Sequence, residues 1–132
     1  MQRERFTIKN EPKVEIDKRV AIYTEKMVTD VILVSFLKDK GFIRLTLGYY
    51  YLGTIIQLIS EDMSLMTNNI TDLRDVVGYC YGSTGSRVDR AIKHVIMPIP
   101  EFKKMKQKDI INKLVGEYLI VKKESKRRVR KW

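Results

Sequence analysis

Cysteine, histidine and tryptophan each occur once in the 132 residues. The lone Cys80 has no intramolecular partner for a disulfide. With His94 alone, neither a histidine-cluster metal site nor a Ser-His-Asp relay finds support, so the sequence reads as a non-enzyme with no cofactor and no metal. Long apolar runs are missing as well. The longest uncharged stretch, Leu45 to Ser60, holds three tyrosines, two glycines and a glutamine, and falls short of the roughly 20 residues a membrane span needs. It reads as a buried helix, and no membrane partner is expected. No N-terminal stretch joins a basic start, an apolar run and a small-residue cleavage site, which points to the cytoplasm and, for so basic a chain, to the nucleoid.

Acidic residues are the other shortage, and it is local. The net charge is +10, yet residues 1–100 carry 14 basic and 12 acidic side chains while residues 101–132 carry 12 and 4. The end of the chain, "VKKESKRRVRKW", has too little apolar content to fold by itself. A flexible basic tail is expected over 122–132, with Lys126, Arg127, Arg128 and Arg130 as phosphate contacts or as solubilising charge.

Between these limits the apolar pattern is mostly helical. Residues 1–28 are the exception. Alternation of Phe6 and Ile8, then of Val14, Ile16, Val20 and Ile22, suggests two short strands or an extended segment, and a partly helical reading stays open. From there Val31, Ile32, Phe36 and Leu37 form a helical face after Thr29 as a cap, with Gly41 as the stop. In "LGYYYLGTIIQLIS", Tyr49, Leu52, Ile56 and Ile59 define a largely buried helix near 47–60, whose tyrosines belong to the core. A short turn covers Met63 to Met66, and Thr71 caps the next helix, with Leu73, Val76, Val77 and Cys80 on its buried side. Pro98 and Pro100 close the helix that follows, since proline lacks a donor and disfavours helix in the residue before it. Ile110, Ile111, Leu114, Val115, Tyr118 and Leu119 restore helical spacing near the end.

The segment "GYCYGSTGSRVDRAIKHVI", Gly78 to Ile96, carries the functional signal. Val88, Ala91, Ile92, Val95 and Ile96 share one arc of a helix, and Ser86, Arg87, Asp89, Arg90, Lys93 and His94 fill the other. Gly78 supplies a small residue where two helices cross, Gly82 tolerates positive φ in the turn, and Thr84 starts the second helix. This is the spacing of a helix-turn-helix at about 71–97, with its recognition helix at about 84–97. Gly82-Ser-Thr-Gly85 also matches the backbone clamp of KH modules, but the strands that surround such a loop are missing, so it reads as turn and cap.

"SRVDRAIKHVI" (Ser86 to Ile96), together with "LGYYYL" (Leu47 to Leu52) at its separation, resembles the C-terminal effector domain family of the stage-zero sporulation response regulator. That family has a closely similar Ser-Arg-Val-acid-Arg-Ala-Ile-base-His segment on its recognition helix. The resemblance covers about 29–97 and, loosely, the last helix. It implies an all-helical DNA-binding domain that enters the major groove and often occupies neighbouring sites as a pair. The family's base-contacting acid, arginine and second base fall on Asp89, Arg90 and Lys93. Its glutamate and arginine are here Asp89 and Lys93, so a shifted target sequence is expected. A receiver domain, normal in the family, does not fit into the 28 residues before the resemblance begins.

The fold class expected is therefore mainly α: a helical bundle over 29–121 containing a helix-turn-helix, preceded by an N-terminal extension over 1–28 with a short β-hairpin or extended segment. The function expected is sequence-specific regulation of transcription on double-stranded DNA, alone, as a homodimer or on tandem sites. Asp89, Arg90 and Lys93 make up the base-reading set, in which Asp89 either accepts from a cytosine amino group or holds Arg90 and Lys93 in position, the second favoured by its i to i+4 spacing from Lys93; Ser86, Arg87 and His94 join the tail in contacting phosphate. Two alternatives are a protein-interaction module or antagonist that keeps the fold, and a sequence-tolerant nucleic-acid binder that relies on its tail.

Overall fold

The computed structural model describes residues 13–67 and 69–130. Among them are six α-helices and no strand: α1 (Lys13–Val28), α2 (Val31–Asp39), α3 (Leu47–Glu61), α4 (Ile70–Cys80), α5 (Gly85–Ile96) and α6 (Gln107–Arg130). Single turns of 3-10 helix at Met63–Thr67 and Pro100–Phe102 fill two of the connections.

α3 is the axis of the bundle. Ten of its residues are buried, Tyr49 and Tyr51 among them, which agrees with a core role for those tyrosines. Burial of a phenol requires a partner for its hydroxyl or leaves it at the surface. The buried Tyr81 hydroxyl meets Thr54 Oγ1 at 2.8 Å, and the Tyr51 ring stacks edge-on against Tyr81 with centroids 5.1 Å apart.

The N-terminal segment departs from the strand expectation. Val14, Ile16, Val20 and Ile22 lie in α1, and Phe6 and Ile8 lie outside the described residues. The alternation loses to a helical period that runs through it: Val20 and Tyr23 pack against the core and Met27 is fully buried, whereas Ile22 is 62% exposed. Nor is α1 an appendage. A Cβ on Gly53 of α3 would fall on the Met27 side chain, and the Arg19 guanidinium donates to the Tyr79 carbonyl at 3.0 and 3.2 Å and sits over the Tyr79 ring. A domain boundary at residue 28 would cut through this packing.

Caps fall near their expected places. Asp30, rather than Thr29, caps α2 by accepting from the Leu33 N–H at 3.0 Å, while the Thr29 hydroxyl donates back to the Glu25 carbonyl at 2.8 Å. Asn69, rather than Thr71, caps α4 and accepts from the Thr71 N–H at 2.8 Å. In both cases the residue just outside the first turn has the acceptor arm that reaches the free donors. Asp30 does more than cap: it also accepts from the Tyr118 hydroxyl at 2.6 Å and from Gln57 Nε2 at 3.3 Å. One carboxylate thus ties α2, α3 and α6 together. Burial and this carboxylate both push the Tyr118 phenol well above its usual pKa. The α2 face is also rotated from expectation, with Leu33, Phe36 and Leu37 buried and Val31 75% exposed.

α6 buries Ile110, Ile111, Leu114, Val115 and Tyr118 against α2 and α3, and its backbone stays helical to Arg130. Of the segment expected as a flexible tail, residues 122–130 thus belong to this helix, and 131–132 lie outside the described residues. Its apolar stripe stops near Tyr118, so what continues is a rod of mostly charged residues, including the exposed Lys126 and Arg127. Four charges pin α6 to the bundle. Glu101 Oε2 lies 3.1 Å from Lys40 and 2.6 Å from Lys113, and Glu117 lies 2.8 Å from Lys40 and 3.4 Å from Lys113.

Candidate nucleic-acid interface

Helices α4 and α5 form a unit whose geometry follows from two glycines. Gly82, in the turn, has φ 67°, which L-residues with a Cβ adopt with difficulty. Its neighbour in the sequence, Ser83, donates its N–H to the Gly78 carbonyl at 2.7 Å and closes the end of α4. At Gly78 a Cβ would come within 2.7 Å of the Thr84 carbonyl carbon, so only glycine lets the chain fold back this closely. Thr84 then caps α5, accepting from the Arg87 N–H at 3.3 Å.

The apolar arc of α5 seats the unit on the bundle. Val88 and Ile92 are fully buried and Ile96 is 7% exposed, each worth about 1.5–3 kcal/mol relative to an exposed side chain. Ala91 and Val95 are half-buried against α3. Here a residue matters that sequence reasoning missed. A Cβ on Gly48 of α3 would collide with the Ala91 carbonyl, so the first turn of α3 and the middle of α5 touch backbone to backbone. "LGYYYL" contains that glycine, but its reason lies in a contact 43 positions away and leaves no periodic trace in the sequence.

The opposite arc faces solvent. Ser86, Arg87, Arg90, Lys93 and His94 are exposed. Arg87, Arg90 and His94 make no ion pair or side-chain hydrogen bond among the described residues, so the two guanidinium charges and the imidazole ring nitrogens remain open to a ligand.

Asp89 is different. Its side chain is 28% exposed and fully engaged: Oδ1 accepts from Gln107 Nε2 at 3.0 Å and lies 3.5 Å from Arg74 Nη1, and Oδ2 lies 3.3 Å from Lys93 Nζ. The pairing of Asp89 with Lys93 follows from their spacing of four. Arg74 and Gln107, from α4 and α6, were not legible as neighbours of this site, because nothing local in their segments points to α5.

Beside the far end of α5 runs an apolar groove of about 870 Å³, bounded by Ile43, Leu47, Val95, Pro98 and Ile99, with Arg44 and His94 on its rim. Cys80 is buried in the core at the end of α4, beside the Tyr23 hydroxyl, where burial pushes its thiol pKa up. No group of three or more potential metal ligands occurs among the described residues, and no helix there is long and apolar enough to cross a membrane.

Among the described residues, a small helical bundle that carries a glycine-pinned two-helix unit, with unpaired cations on the outer face of the second helix, has the architecture of one class, consistent with a helix-turn-helix domain. The family described as "Sporulation initiation factor Spo0A C terminal" matches residues 33–129, and the chain belongs to it. That family is the DNA-binding domain of a sporulation regulator, and DNA binding and transcription regulation in sporulation are its attributes. No curated protein and no solved structure matches the chain.

Proposed function

We propose that this protein is a sequence-specific transcription regulator that lays α5 in the major groove of double-stranded DNA. The observation that carries the reading is Arg90: exposed, without a protein partner among the described residues, and on the arc opposite Val88 and Ile92 in the first half of the helix. Groove entry brings that half against base edges, and a guanidinium fork matches guanine O6 and N7 together. Lys93, 64% exposed, reads a neighbouring base as a single charge that Asp89 holds in place. Ser86, Arg87 and His94 contact phosphates along the groove walls.

Lys126, Arg127, Arg128 and Arg130 act elsewhere. For these cations the helix backbone, which starts beside Asp89 and rises about 1.5 Å per residue, lies about 30 Å along the axis from Gln107. They contact phosphates roughly one helical turn of DNA away from the bases that α5 reads, on the same duplex. The protein acts on neighbouring sites as a pair, as the resemblance implies.

Selection from random duplexes, followed by affinities for the preferred site and a scrambled one at a single salt concentration, tests the reading. Arg90→Ala should cost about 1–3 kcal/mol on the preferred site and relax one position of the motif. Arg87→Ala should weaken both duplexes alike. Equal losses on both duplexes for Arg90→Ala would refute base reading. One observation favours a second reading, a protein-interaction module: the apolar groove at the end of α5 is open to a partner. Failure to bind any duplex would favour that module.

A further inference from the structure

We infer that Gln107, from the first turn of α6, is a specificity-determining positioning residue: it fixes Asp89, and through Asp89 it sets where Lys93 presents its charge. This rests on the base-reading role of α5 and adds a third helix to it. The geometry is a relay with each atom assigned. Gln107 Oε1 accepts from Arg74 Nη1 at 2.9 Å, and that bond fixes which end of the amide is the donor. Nε2 is left to donate to Asp89 Oδ1 at 3.0 Å, with the Asp89 backbone carbonyl 3.4 Å away.

Oδ1 is therefore held from the inside by Gln107 and Arg74, and Oδ2 points outward to Lys93 Nζ at 3.3 Å. A carboxylate anchored at one oxygen cannot rotate without breaking a charge-assisted hydrogen bond. Its outer oxygen then restricts a long lysine chain that otherwise samples many rotamers. The half-buried Gln107 and the 16% exposure of Arg74 shield the inner half of the relay from water, whereas Lys93 stays open to a ligand. Nothing in α6 touches the bases in this arrangement; Gln107 acts on them only by way of α5.

The test is selection from random duplexes with the full chain and four variants. Gln107→Leu removes both amide contacts at similar volume. Gln107→Glu keeps the acceptor for Arg74 and replaces the donor to Asp89 by a second carboxylate. Lys93→Ala identifies the motif position that Lys93 reads, and Gln107→Leu combined with Lys93→Ala tests for coupling. Both Gln107 variants should reduce discrimination at the Lys93 position by about tenfold and leave the Arg90 position unchanged, and Gln107→Leu should add nothing at the Lys93 position once Lys93 is alanine. A purely structural role would lower affinity for all sequences alike or blur every position, and either result overturns the inference. A wild-type motif that Lys93→Ala alters and Gln107→Leu does not overturns it while leaving base reading intact. A wild type that selects no motif removes both.

Discussion

The backbone crossing of α3 and α5 at Gly48 sets up a measurable contrast with the exposed Gly116 of α6. Gly48→Ala places a methyl group where the Ala91 carbonyl lies, with the carbonyl carbon only 2.7 Å from the new atom. The obstacle is backbone, so relief requires α5 to slide away from α3, which puts the cost in the upper part of the range for overpacking, about 2–3 kcal/mol. Alanine returns about 0.8–1.0 kcal/mol of helix propensity relative to glycine. The net destabilisation is then about 1–2 kcal/mol. At Gly116 nothing lies within 4 Å of an added Cβ, so the same substitution gains its propensity at no steric cost. Gly116→Ala should stabilise by about 0.5–1 kcal/mol. For a chain of 132 residues each kcal/mol moves Tm by about 3–4 °C, so the two variants should melt on opposite sides of wild type, some 5–10 °C apart. Far-UV circular dichroism during thermal and urea unfolding reads both. Because the displaced helix is the one proposed to enter DNA, Gly48→Ala should also weaken duplex binding at temperatures below its midpoint, and Gly116→Ala should not. Equal stabilisation by both substitutions would refute the tight crossing and, with it, the account of how α3 aims α5.

The charge cluster around α6 gives a pH dependence whose sign is fixed. Hydrogen bonds from Lys113 and Lys40 lower the Glu101 pKa, and those from Lys40 and Lys113 lower the Glu117 pKa. Each therefore contributes stability that is present above the ordinary carboxylate value and disappears as pH falls through the lowered folded value. Urea midpoints measured downward from pH 6 should fall less steeply for Glu101→Gln/Glu117→Gln than for wild type; parallel curves would show that the cluster does not couple to folding. Deletion of 122–132 removes seven basic residues and should weaken long duplexes about equally whatever their sequence, flattening the salt dependence by roughly 0.9 for each phosphate no longer neutralised. If the end of α6 engages phosphates about one turn of DNA away from α5, as proposed, the weakening should appear on long duplexes and shrink on ones trimmed to the α5 site. An unchanged salt slope would assign the charge to solubility instead.

What was legible in the sequence and what was hidden divide along a physical line. The α4–α5 unit could be read because its determinants are local: the turn glycine, the threonine cap and the apolar arc of α5 all lie within Gly78 to Ile96, and each acts on near neighbours in the chain. The core tyrosines were legible for the same reason, through the spacing of Tyr49, Leu52, Ile56 and Ile59. α1 is ambiguous between strand and helix in its sequence because its first turns are rich in charged residues, and the residues that settle its period, Val20, Tyr23 and Met27, are recognisable only by their packing against the core, Met27 by its seat against Gly53. The surroundings of Asp89 were hidden more deeply. Spacing supplied Lys93 as a partner, but Arg74 and Gln107 reach it across 15 and 18 residues from different helices. Such contacts depend on how helices are placed relative to one another, and that placement is decided by glycines such as Gly48 and by polar hubs such as Asp30, whose effect is global. The consequence for function is specific. Local pattern identifies which face of α5 carries cations, whereas tertiary placement decides which of them are free: Arg90 stands alone among the described residues, and Asp89 and Lys93 belong to a network that extends to α6.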